Sequence, residues 1–268
     1  MTSLLRADFR RILRPSSNTH WFLVVLVAAI LLNVVVMPML VNMMSDMAGS
    51  EDVGSLGFAS PLGVAGSLLW LGLLPLLCSL RIATLCWGDM RSGFNRSVVS
   101  ACGKKAYFTE KLVLALVVSF AFVVIGLVIT LLVALIAGGF TQSTGAVSII
   151  LWLVLTTLVC WGCSCLTLAV LWVLKSNVIA YILGISLGGG LISTIISLAL
   201  GGLPDIAQAW TSVVEWLPVS SVNILSSAVV DGELVLEGMG YAHVLVPTAV
   251  CIAIGFACAL TILRKRDL

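Results

Sequence analysis

Few residues in this chain have types suited to chemistry, and most of those are cysteines. Cys160, Cys163 and Cys165 form the run CWGCSC, whose first two carry CxxC spacing. A thiolate metal site needs further ligands at similar spacing, and no second cluster follows. The run also lies inside a long apolar stretch, so its cysteines read as small side chains packed between helices. None of the eight cysteines falls in a loop placed on the outer side of the membrane, which argues against a disulfide framework. His20 and His243 sit near the ends of apolar runs and read as interfacial residues rather than ligands. No HExxH, GxSxG or GxxxxGK[ST] pattern occurs. The expectation is a chain with no catalytic residue, no metal site and no cofactor of its own.

The remaining polar chemistry is concentrated in residues 87–111, WGDMRSGFNRSVVSACGKKAYFTEK. Arg91, Arg96, Lys104, Lys105 and Lys111 stand there between two strongly apolar runs. Met90, Phe94, Val98 and Ala101 recur at helical spacing and give a basic helix one apolar edge. A soluble partner would take Phe94 and Val98 in a cleft and meet Arg91 and Arg96 with carboxylates. The alternative reading is a solvated loop that only sets topology.

The elements that hold this loop are membrane spans. Of 268 residues, 60% are hydrophobic and 10% charged, against about 25% charged in soluble domains. Apolar runs of about 20 residues recur, each long enough to cross a bilayer. The fold expected is all-α, an integral membrane protein of six spans. These run over Trp21–Val41, Pro61–Ile82, Leu112–Ala137, Val147–Leu174, Val178–Leu200 and Tyr241–Leu263. Pro75 is a possible kink in the second, and Gly188, Gly189 and Gly190 allow close packing or a break in the fifth. The first apolar run is longer than a signal h-region, so no cleaved leader is expected.

Ahead of the spans, residues 1–15 read as an amphipathic helix that ends at Pro15. Leu5, Phe9, Ile12 and Leu13 share one face, interrupted at its edge by Asp8. Arg6, Arg10, Arg11 and Arg14 face the lipid headgroups. Its alternative is an ordinary topogenic tail. Between spans 5 and 6, residues 203–238 carry two short helical patterns, one opened by Pro204 and one over 221–230. They read as a hairpin dipping into the outer leaflet or as an external amphipathic loop.

With the N-terminus inside, this arrangement puts all 14 Lys and Arg residues on the cytoplasmic side. Asp46, Glu51, Asp52, Asp205, Glu215, Asp231, Glu233 and Glu237 fall outside. The spans hold almost no ionisable group, which disfavours an ion-coupled carrier. Any uphill transport would draw its energy from a partner.

Residues 89–111 resemble the first cytoplasmic loop of ABC-2 type permeases, the membrane subunits of ATP-binding cassette exporters. The matching features are Asp89, Gly93, Ser100, Lys104 or Lys105, and Lys111 entering the next span. The family often has Glu at the first position, and Pro where this chain has Cys102-Gly103. The layout of an N-terminal interfacial helix, six spans and a helical external insertion is similar too. The size is similar to small bacitracin- and lantibiotic-type export subunits. The resemblance implies a coupling helix over Asp89–Ala101. Asp89, Met90, Arg91, Gly93, Phe94, Arg96, Ser97, Val98 and Ser100 would contact the partner. It implies two ATPase subunits holding ATP and Mg, a second permease chain of the same or a sister kind, and a bacterial cytoplasmic membrane with both termini inside. Spans 1, 2 and 5 would line the substrate path, with Asn33 among its polar features. No nucleic-acid partner is implied. A non-transporting scaffold or immunity protein is the alternative.

Overall fold

The structure, a computed structural model, describes residues 2–12, 19–36, 39, 60–70, 72–137, 139–140, 142–188, 216–230, 232–236 and 238–265. Arg14, the acidic loop 46–52, residues 189–200 of the fifth expected span and the 204–215 part of the insertion lie outside the described residues.

Helix α1 covers Thr2–Ile12. Helix α2 covers Thr19–Leu31 and passes into a π-helical turn over Leu32–Val36. Helices α3 (Pro61–Trp70) and α4 (Leu73–Arg91) follow, then the short α5 (Phe94–Cys102). The long helices α6 (Lys104–Ala137) and α7 (Ala146–Leu174) come next, then α8 (Asn177–Gly188). Helix α9 (Pro218–Ser227) leads into a two-residue hairpin, β1 (Val229–Val230) with β2 (Glu233–Leu234), and α10 (Gly240–Lys265) closes the fold. The strands are antiparallel, with Val229 opposite Leu234.

Four of these helices, Leu73–Arg91, Lys104–Ile136, Ala146–Leu174 and Gly240–Ile262, are long and apolar enough to cross a bilayer. The apolar helices His20–Val36 and Asn177–Gly188 are shorter. The protein is therefore helical and membrane-embedded. Helix α7 is central, packed against α4, α6, α8 and α10. Its buried face carries Trp152, Leu155, Leu168 and Leu171, with Cys160, Cys163 and Cys165 between them. All three are free thiols set against neighbouring helices. A Cβ on Gly255 of α10 would lie 2.9 Å from the Cys165 Cβ, so the two helices touch through small residues. Among the described residues, no cluster of His, Cys, Asp and Glu is arranged to hold a metal.

Span 2 differs from expectation. It is broken at Gly72 rather than kinked at Pro75. Gly72 takes a left-handed conformation with φ of 59°, and Pro75 lies in the first turn of α4. There Pro costs no helical hydrogen bond, because first-turn N–H groups have no intrahelical acceptor. The break is tied to α8: a Cβ on Gly188 would lie 2.6 Å from the backbone N of Leu76, and one on Gly72 would collide with the Gly188 carbonyl.

Several polar groups within the apolar bundle join one helix to another. Thr84 and Tyr181 share a hydrogen bond of 2.9 Å between α4 and α8. The Trp161 indole donates to the Leu112 carbonyl at 2.9 Å, linking α7 to α6. Asn33 in the π turn donates to the Ser67 carbonyl at 3.1 Å. Pro247 lies inside α10 and has no N–H for the carbonyl of His243. Ser221 of α9 donates to that carbonyl at 2.9 Å. A freed backbone group inside a membrane needs such a donor.

Candidate functional site at the basic end of the bundle

One end of the bundle gathers the basic segments. A cleft there is lined by Met90, Asn95, Tyr107, Phe108, Trp172 and Lys175, with Ile262 of α10, so α4, α5, α6, α7 and α10 all meet at it. The opposite end holds the β-hairpin, where a Cβ on Gly232 would meet Ser60 and Ser143. Glu233, the one acid expected outside that lies among the described residues, is at that opposite end.

The expected single helix over Asp89–Ala101 is two helices. Helix α4 stops at Arg91, and the Ser92 hydroxyl donates back to the Gly88 carbonyl at 2.8 Å. Gly93 then turns left-handed with φ of 71°, a conformation open to Gly without strain. Helix α5 starts at Phe94 and ends at Gly103, whose φ of 84° separates it from α6. The break changes the helical phase, so Met90, Phe94, Val98 and Ala101 do not form one edge. Phe94, Ser97, Ser100 and Ala101 are exposed on α5, while Val98 is buried beneath it at 8% exposure. Met90 and Gly93 are half-buried, Arg91 is exposed, and Arg96 lies on α5 by its backbone.

Asp89 is the main correction. It is not on a docking surface: it is 1% exposed, and its carboxylate lies 2.8 Å from Lys111 Nζ. The cause is Lys111 itself, whose ammonium is buried at the start of the apolar part of α6 and needs counter-charge. Asp8 of α1 also pairs with Lys111, and Glu110 Oε2 lies 3.7 Å away. The Tyr107 ring adds a cation–π contact at 5.4 Å. Three acids from α1, α4 and α6 therefore surround one buried lysine. Nearby on α4, buried Arg81 stacks over Phe22 of α2 at 5.7 Å.

This centre lay beyond the sequence reading, although two signals were present. Asp8 interrupts an otherwise regular amphipathic face, and Lys111 sits where an apolar run has begun. Their pairing joins positions 103 apart, which no local pattern reveals. The same pair orients α1: Asp8 and Ile12 turn toward the protein while Arg6, Phe9 and Arg10 are exposed.

The arrangement presents one short helix outward, between two turns, on a base pinned by ion pairs. The chain matches no family model, and neither a curated protein nor a solved structure matches it.

Proposed function

We propose that the chain is the membrane subunit of an ABC-2 type exporter, with α5 as the helix its ATPase partner grips. The observation that carries this reading is α5 itself: a nine-residue helix at the basic end, with Phe94 exposed, Val98 seated beneath and a glycine turn on each side. Such a lever moves as a unit when pushed. Its base runs directly into α6 and the Lys111 centre, so force on α5 reaches α4 and α1 through ion pairs. A rigid shift of this kind is an established route for switching packed helices.

In this reading ATP and Mg are held by two partner ATPase subunits, and a second permease chain completes the pore. The basic end faces the cytoplasm of a bacterial cell, as the clustering of Lys and Arg there favours. The cargo is hydrophobic or amphipathic, a peptide antibiotic, drug or lipid-like molecule, in keeping with apolar spans.

Co-expression with the candidate ATPase tests the proposal. Phe94→Asp or Ser97→Glu is expected to abolish co-purification and substrate-stimulated ATP hydrolysis while leaving the chain folded. Undiminished association in both variants would count against it and favour a scaffold or immunity protein.

A further inference from the structure

Between α7, α9 and α10 the structure holds a second hollow, distinct from the basic end. Its volume is about 460 Å³, within the usual range of ligand sites. Leu166, Trp216, Pro218, Val246, Val250 and Ile254 form most of its wall. No charged side chain is among its described lining residues. Val246, Val250 and Ile254 are 47%, 51% and 40% exposed, so the hollow opens sideways along α10, one of the helices able to cross a bilayer.

Two polar features frame this groove. Ser221 holds the start of α9 to the carbonyl left free by Pro247, which itself lines the groove. At the rim, the Trp216 ring meets His243 edge-on, with centroids 4.5 Å apart, in the first turn of α10. Trp gathers at the membrane interface, where one edge is apolar and the other wet.

We infer that this groove is a binding site for one acyl chain of a bilayer phospholipid, with the headgroup at the Trp216–His243 rim. A buried water needs two to four polar partners, and the described wall offers almost none. Left empty, its lining would forfeit dispersion contacts on one side. The medium along α10 is hydrocarbon, and a soluble partner has no access there. An acyl chain is the occupant that satisfies the wall without desolvating a polar group. The assignment rests on the membrane setting and stands whether or not the chain is an exporter.

The test uses the full chain in phosphatidylethanolamine–phosphatidylglycerol vesicles containing phosphatidylglycerol with a diazirine in mid-chain. After illumination, labelled positions are mapped by mass spectrometry. Labelling is expected to concentrate on residues 246–254, Leu166 and Pro218, and to saturate as the probe fraction rises. Labelling of Ile150, exposed on α7, should instead rise in proportion. Val250→Trp, which fills the groove, should lower labelling there severalfold and leave Ile150 unchanged. Groove labelling that rises in proportion, as at Ile150, would overturn the assignment from the wild-type chain alone. Equal labelling of a folded Val250→Trp protein would overturn it as well.

Discussion

Lys111 and Asp8 lie 103 residues apart and share a buried ion pair that fastens the first helix to the sixth. With Asp89 on the same ammonium, one side chain ties three helices together at the end of the bundle that carries α5. Among the described residues the centre gathers three acids around Lys111, so its stability depends on that cation.

Lys111→Met should remove the ammonium that Asp8, Asp89 and Glu110 face. Breaking a buried ion pair by removing one member costs about 3–5 kcal/mol. Thermal unfolding in detergent, followed by size-exclusion fluorescence, should show a large loss. Asp8→Asn should cost less, because Asp89 remains 2.8 Å from the ammonium. A Lys111→Met protein as stable as wild type would refute the account.

Ser221→Ala should deprive the His243 carbonyl of its donor. Polar links inside membrane proteins contribute about 0.6 kcal/mol on average and at most about 1.7, and this one lies at the upper end because no helical N–H replaces it. Pro247→Ala restores that N–H. In the double variant the Ser221→Ala penalty should therefore shrink, a non-additivity that a double-mutant cycle reads directly.

Gly188→Ala should disturb the seat between α8 and the break in span 2. Its Cβ would lie 2.6 Å from the Leu76 backbone, whereas a Cβ on Gly184 of the same helix would sit 3.5 Å from its nearest neighbour. Overpacking of this kind costs about 1–3 kcal/mol. Gly184→Ala should be near neutral. Equal melting temperatures for the two variants would contradict the geometry.

Phe94→Asp and Val98→Asp separate the outer and inner faces of α5. Phe94 is 43% exposed and Val98 8%. Phe94→Asp should change stability by no more than about 0.5 kcal/mol, as surface changes do. Val98→Asp places an unpaired charge under the helix and should lower the melting temperature sharply. Comparable melting temperatures would mean that the exposed and buried faces are misassigned.

The parts of the fold that local patterns dictate were legible in the sequence. Helices α6, α7 and α10 follow from long apolar runs and lie within a few residues of the expected spans, although α6 starts at Lys104 rather than Leu112. That extension is a continuous helix because nothing in KKAYFTE breaks one. The misreadings arose where a glycine or a distant charge decides. Gly72 and Gly93 adopt left-handed backbones, and apolar periodicity does not register which glycines in a Gly-rich chain will do so. Asp89 looked like a surface acid because its neighbours are basic and polar. Its partner arrives from α6, beyond the short α5, and the second acid on that partner comes from the far N-terminus. The exposed positions Phe94, Ser97 and Ser100 were legible as polar-loop residues, but their common face depended on the break at Gly93.

The division of span 2 at Gly72 gives its two pieces different companions. Helix α3 travels with α9, since a Cβ on Gly66 would lie 3.2 Å from the Ser226 carbonyl, while α4 runs alongside α7 and α8. Helix α3 also packs on α6, the helix that carries Lys111, so one continuous rod bridges the bend at Gly72 and the lysine-centred knot. Gly72 thus frees α3 from the axis of α4 without freeing it from the bundle.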